Sequence, residues 1–163
     1  MSRNRITPRR HLRWTAPALV ATAVAGGIGT DVSSPWYRSL DKPPWQPPGT
    51  VFGPAWTTLY TLIAAASARS LDRIDDGTTR RRYARALGVN LGLNVAWSWL
   101  FFSAKRPRLA LAEMVLLEAS TIDLIRRTGP VDRAGAIMLL PYAAWTGFAT
   151  ALTASIVRRN PGR

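Results

Sequence analysis

The sequence predicts an all-α, polytopic membrane protein: a bundle of five transmembrane helices with a Pro- and Trp-rich first loop. Three observations carry this reading. Five apolar runs follow one another along the 163 residues, each near the roughly 20 residues that cross a hydrocarbon core as helix. The 22 Lys and Arg residues, against 9 Asp and Glu, punctuate these runs instead of forming polar faces within them. Strand-like alternation is absent, which argues against a barrel. A mean hydropathy close to zero is therefore an average over two kinds of segment.

The chain opens with a basic tail, residues 1–13, carrying Arg3, Arg5, Arg9, Arg10 and Arg13. A single membrane domain is expected over residues 14–160. Its first helix is predicted over 14–32, because Trp14–Thr30 gives 17 uncharged residues. That run exceeds the 7–15 residues of a signal-peptide core, so it is read as a retained helix. The second helix is predicted over 51–69 and the third over 84–104, from uncharged runs of 18 residues (Val51–Ala68) and 19 residues (Ala86–Ala104). The fourth, over 108–126, is apolar except for Glu113, Glu118 and Asp123. Acids at membrane depth face a bundle interior or water, and Asp123 is close enough to Arg126 and Arg127 to lie at the interface. The fifth helix, over 134–157, has the longest uncharged run, 24 residues.

Composition removes several function classes. There is no cysteine and one histidine, His11, which excludes disulfides, thiol nucleophiles, cysteine zinc sites and histidine clusters. No paired acid and base, nucleophile or metal cluster is visible, so no catalytic residue and no metal ligand is assigned. The net charge of +13 would suit nucleic acid, but its confinement to connectors assigns it to membrane orientation, and no nucleic-acid partner is expected. With the N-terminus inside, inner segments hold 14 basic residues and outer ones 8, favouring an N-inside, C-outside topology.

The connector Ser34–Thr50, SPWYRSLDKPPWQPPGT, is unlike a Gly/Ser-rich linker. Its prolines fix backbone angles and remove donors, so neither helix nor sheet is expected there. Trp36, Tyr37, Leu40 and Trp45 would be costly in water, so the loop should fold back over the helix ends. Two readings stand: a lid over a cavity, or a loop packed at the interface with nothing beneath it. Aromatic stripes at helical spacing add to the first. Phe52, Trp56 and Tyr60 share one face of helix two; Asn90, Asn94, Trp97 and Phe101 one face of helix three; Tyr142, Trp145, Phe148, Ala149 and Leu152 one face of helix five. Such stripes either pack helix on helix or leave flat slots for a planar ligand.

The run Trp36-Tyr37, Leu40, Lys42-Pro43, Trp45, Pro47-Pro48, Phe52, Trp56 and Leu59-Tyr60 resembles the first-loop and second-helix signature of the TspO/MBR family of tryptophan-rich sensory and translocator (peripheral benzodiazepine receptor) proteins. Asn90, Asn94, Trp97-Ser98 and Phe101-Phe102 look like that family's third helix; Pro141-Tyr142, Trp145, Phe148 and Ala149 look like its fifth. The resemblance covers about residues 14–160. It implies a multi-pass bundle, often a homodimer, embedded in lipid; the high Arg content points to a bacterial protein, and so to a bacterial cell membrane. It further implies a cavity under the first loop for porphyrins and other hydrophobic small molecules, the porphyrin being a ligand rather than a bound cofactor. The candidate ligand contacts are Trp36, Tyr37, Trp45, Pro47, Phe52, Trp56, Tyr60, Asn90, Asn94, Trp97, Glu113, Tyr142, Trp145, Phe148 and Ala149. Of these, Trp56, Trp145 and Asn94 match ligand-contacting positions of family members, and Glu113 matches an acid often carried on helix four. Gly26, Gly27 and Gly29 are read as close helix packing, including packing in a dimer. The resemblance leaves alternatives to a receptor, carrier or sensor: light- and oxygen-dependent porphyrin breakdown, or lipid, isoprenoid or sterol transport. Against sterols, the tail Ala151–Arg158 lacks the central Tyr of the cholesterol-recognition pattern.

Overall fold

A computed structural model describes residues 10–162 of the chain, so Arg3, Arg5 and Arg9 of the basic tail lie outside the described residues. The described residues form six helices and no strand: α1 (Leu12–Gly29), α2 (Pro35–Arg38), α3 (Gly49–Arg73), α4 (Gly77–Ser98), α5 (Pro107–Thr128) and α6 (Arg133–Arg159), with a π-helical turn, Trp99–Ser103, continuing α4. Two stretches, Gly77–Ser103 and Arg133–Arg159, are long and apolar enough to cross a membrane. The five long helices pack in a ring, α1 against α3, α3 against α6, α6 against α5, α5 against α4, and α4 back against α1.

Several threonine hydroxyls within the helices are satisfied by their own backbone, whereas Ser67 Oγ, buried in α3, has no partner among the described residues. Thr57, Thr58, Thr61, Thr121, Thr128 and Thr150 each donate to the carbonyl four residues back. This spares them the cost of an unpaired polar group away from water. The acids of α5 separate as their angular spacing requires. Glu118 accepts a hydrogen bond from Thr146 Oγ1 on α6, Asp123 pairs with Arg127 Nε at 2.6 Å near the helix end, and Glu113 is buried.

Helix limits move outward where polar turns precede or follow the apolar run. The third long helix begins at Gly77 instead of 84, because Asp76 caps it by accepting the Thr79 N–H at 2.6 Å. α3 continues to Arg73 rather than 69, and the Ile74 carbonyl beyond its end accepts from Arg80 Nη2 at 2.6 Å. The first helix is shifted, starting at Leu12 and ending at Gly29 rather than spanning 14–32. Asp31 then opens the loop by accepting from the Ser33 N–H at 2.9 Å and its Oγ at 2.7 Å.

The arginine-rich end of the bundle is tied by ions. The Asp132 carboxylate, buried at the start of α6, takes Arg69 Nε at 2.7 Å, Arg69 Nη2 at 3.1 Å and Arg73 Nη1 at 3.2 Å. Burial pushes the Asp132 carboxyl up, but the hydrogen bond and charge of Arg69, with the charge of Arg73, outweigh it and hold it below the usual carboxylate range. His11 Nδ1 lies 2.5 Å from Asp72 Oδ1, fastening the start of α1 to α3.

Candidate functional site

The proline-rich connector folds back over the helix ends. It contains one turn of helix, Pro35–Arg38, where neither helix nor sheet was expected. Proline suits the first helical position because its missing N–H would be unpaired there anyway, and Ser34 Oγ caps the turn by accepting the Tyr37 N–H at 3.2 Å. Trp36 then meets Phe101 edge-on at 5.7 Å, and Tyr37 meets Phe102 at 5.2 Å. Lys42 Nζ stands 4.5 Å from the Tyr37 ring centroid. The far side of the loop is clamped to the end of α6. Asn160 Oδ1 accepts the Asp41 N–H at 3.0 Å while Asn160 Nδ2 donates to the Asp41 carbonyl at 2.9 Å.

Beneath this loop is a cavity of about 600 Å³, bounded by α1, α3, the end of α4 and α6. Its aromatic walls are Phe52, Trp56 and Tyr60 from α3, Trp97, Phe101 and Phe102 from α4 and its π turn, and Trp145 from α6. Tyr37 and Gln46 close it from the loop, and Ala149, Leu152, Thr153 and Ile156 complete the α6 wall. Trp56 stacks on Tyr60 at 5.2 Å and meets Trp145 edge-on at 6.3 Å; Phe52 meets Trp145 at 5.7 Å. The rings therefore brace one another at right angles and by stacking, which holds the flat walls apart.

The π turn explains how two consecutive residues, Phe101 and Phe102, are both buried and both line the cavity. Its wider turn carries the Ala104 N–H to the Trp99 carbonyl at 2.7 Å. Trp99 Nε1 and Ser103 Oγ reach back to the α1 carbonyls of Ala25 and Gly29, each at 3.0 Å.

One rim is built from glycine. Gly27 on α1 and Gly49 and Gly53 on α3 line the cavity with open space where a Cβ would project. They are exposed, as are Thr30, Val32 and Thr57, so the cavity opens sideways between α1 and α3. At the other end of this pair, Thr15 Oγ1 donates to the Ala64 carbonyl at 3.2 Å and closes the gap.

The floor is a directed chain of hydrogen bonds. Tyr60 Oη donates to Asn94 Oδ1 at 2.7 Å, and Asn94 Nδ2 donates to Tyr142 Oη at 3.2 Å. Tyr142 Oη donates to Asn90 Oδ1 at 3.1 Å, and Asn90 Nδ2 donates to Thr121 Oγ1 at 3.0 Å. Two buried polar atoms at the cavity stand outside this chain: Trp97 Nε1, a donor, and Gln46 Oε1, an acceptor, have no hydrogen-bond partner.

Comparison with known sequences assigns the chain. The TspO/MBR family pattern matches residues 15–159. The chain belongs to the TspO/MBR family. It is 35% identical over 150 residues to protein CrtK of Rhodobacter capsulatus, covering 88% of this chain and 90% of that protein. It is 32% identical over 148 residues to tryptophan-rich protein TspO of Chlorobaculum tepidum, covering 87% and 90% respectively. With the human translocator protein it shares 33% identity over 128 residues, 78% of this chain and 76% of the relative. Membership makes this a membrane protein and supports a sensor or transporter role.

Within this TspO/MBR chain, the structure brings Tyr37, Phe52, Trp56, Tyr60, Asn94, Trp97, Trp145 and Ala149 together on the cavity wall. The other candidates lie elsewhere. Trp36 packs behind the lid on Phe101, and Trp45 meets Phe148, which backs Trp145. Pro47 is in the loop but off the cavity surface. Asn90 lies one turn below Asn94 and is rotated about 40° from it, so it turns to α5 and sits under the floor with Tyr142. Glu113 belongs to α5, which contributes nothing to the cavity, and is buried with both carboxylate oxygens unpartnered.

Sequence reasoning missed the α1 wall: Gly26 and Gly27 line the cavity, Gly26 being buried with Ser98 Oγ 3.7 Å from where a Cβ would stand, and Gly29 packs closely, with a Cβ there only 2.8 Å from the Trp99 ring. It also passed over Gln46, and left Phe102 off the aromatic stripe of α4. Phe102 adjoins the stripe residue Phe101, and only the π turn brings both inward.

Proposed function

We propose that this TspO/MBR chain is a five-span, multi-pass protein of a bacterial cell membrane that binds tetrapyrroles such as protoporphyrin, acting as a receptor, carrier or sensor. The observation that carries the reading is the cavity under the loop. Its 600 Å³ falls in the roughly 300–1,000 Å³ range of small-molecule sites, its walls are flat aromatic rings, and two buried polar atoms wait for partners. Trp97 Nε1 offers a donor to a carboxylate or ring nitrogen, and Gln46 Oε1 accepts from a pyrrole N–H or a protonated propionate. The sideways opening between α1 and α3 gives an apolar ligand a route from lipid without crossing water.

The test is a dark titration of the detergent-purified protein with protoporphyrin, following tryptophan fluorescence. Saturable quenching with micromolar affinity is expected, weakened about 5- to 10-fold by Trp97→Phe, which removes the one N–H and keeps an aromatic ring. Linear, unsaturable quenching that ignores the substitution would mean partition into the micelle and would sink the proposal.

A further inference from the structure

A second concavity lies far from the cavity, on the outer side of the bundle between α4 and α5. This open cleft of about 560 Å³ is lined by Arg82, Arg85, Val89, Ser120, Asp123 and Arg127, with Ala86 between them. Arg82 and Arg85 sit three residues apart on one face of α4, both exposed, and neither side chain makes a hydrogen bond or ion pair among the described residues. Arg127 is different: Asp123 Oδ2 holds its Nε at 2.6 Å, which steadies the guanidinium at the cleft and leaves its terminal nitrogens without a partner among the described residues. Three guanidinium groups against one carboxylate leave the cleft positive.

Its position adds a second constraint. Arg127 is one residue from the end of α5 and Arg82 is five residues into α4, so the arginines stand near the bundle's end, where headgroups would be. From there the face carrying Ser120 and Asp123 continues on α5 to the exposed Leu116, opposite the exposed Val89 of α4, toward mid-membrane depth. The same end carries Arg69, Arg73, Arg80, Arg81, Arg126 and Arg133. By the distribution of basic residues it faces the cytoplasmic leaflet, where anionic lipids attract basic side chains.

From this combination we propose that the α4–α5 cleft is a binding site for an anionic phospholipid. Its phosphate is held by Arg82, Arg85 and Arg127, a headgroup hydroxyl is within reach of Ser120 and Asp123, and an acyl chain lies along Val89 and Leu116. A positive mouth joined to an apolar trough matches the two chemistries of one phospholipid, and guanidinium forks suit phosphate oxygens.

Native mass spectrometry of the purified protein with an equimolar mixture of phosphatidylglycerol and phosphatidylcholine tests this. The protein should retain phosphatidylglycerol preferentially. Arg82→Gln with Arg85→Gln should reduce that preference roughly fivefold per arginine, on the order of 20-fold together, while leaving the Arg127–Asp123 pair intact. The charge-matched control, Arg108→Gln with Arg158→Gln at the loop end, should keep it. Retention of the preference in the first pair, or its equal loss in the control, would overturn the site. Displacement of the lipid by millimolar inorganic phosphate alone would overturn the lipid assignment in favour of a free anion.

Discussion

Asn94→Leu separates a ligand contact from a structural amide. Asn94 lines the cavity, yet both ends of its amide are engaged between helices: Oδ1 accepts from Tyr60 on α3 and Nδ2 donates to Tyr142 on α6. Leucine is close in size, so no large cavity opens. What is lost is two interhelical hydrogen bonds, leaving the Tyr60 hydroxyl without its acceptor. Tyr142 loses one donor but keeps its own bond to Asn90 Oδ1 at 3.1 Å. Interhelical hydrogen bonds in membrane proteins are worth about 0.6 kcal/mol on average and up to about 1.7, so the substitution should cost about 1–2 kcal/mol. For a chain of this size that lowers Tm by roughly 2–8 °C. The assay is thermal unfolding followed by tryptophan fluorescence in a fixed detergent, alongside the protoporphyrin titration. Affinity should change less than threefold, because the cavity's unpaired polar atoms are those of Trp97 and Gln46. An unchanged Tm with a tenfold or greater loss of affinity would refute this reasoning and make Asn94 a direct ligand contact.

The glycines give two opposite expectations. Gly53→Leu meets nothing within 4 Å at its Cβ and should fold normally while filling part of the cavity, reducing protoporphyrin affinity at least tenfold by titration. Gly29→Ala places a Cβ 2.8 Å from Trp99 Cδ1 and Nε1, and should cost about 1–3 kcal/mol as overpacking, read as a lower Tm. At the arginine-rich end, the depressed carboxyl of Asp132 contributes stability at pH values above the ordinary carboxylate pKa, which is lost as pH falls through its lower folded value. Asp132→Asn should therefore lower Tm at neutral pH by an amount that shrinks on acidification; a difference independent of pH would exclude the ion pair as the cause. Asn160→Leu removes the two hydrogen bonds that Asn160 makes to the Asp41 backbone, leaving only the long Arg159–Asp41 pair at 3.4 Å, and should speed ligand release several-fold in stopped-flow quenching without displacing the helices.

The lid was legible from residues 34–50 because so many stiff prolines and large rings cannot rest in water. Its single helical turn was not, since that depends on Ser34 capping a proline-started turn. The aromatic side of the cavity was legible for α3, where Phe52, Trp56 and Tyr60 repeat every four residues and all three line the wall. On α4 and α6 the same periodicity ran past the cavity floor, into Asn90 and Tyr142. A stripe identifies a face of a helix, but it carries no mark of the depth at which that face stops meeting open space and starts meeting another helix.

By itself, the sequence determined the all-helical character, the alternation of apolar runs with arginine-rich connectors, and the membership in a membrane family. These follow from residue-by-residue hydrophobicity and from motifs at fixed spacing, which need no knowledge of neighbours. The tertiary structure decided which helices enclose the cavity. The ring order α1, α3, α6, α5, α4 places α5 and its Glu113 away from the cavity, and brings the small residues of α1 onto it. It also decided that Asn94 has partners while Trp97 Nε1 and Gln46 Oε1 do not. Pairing and burial depend on what lies opposite across a helix interface, which is set by side chains far apart in the chain and has no local signature.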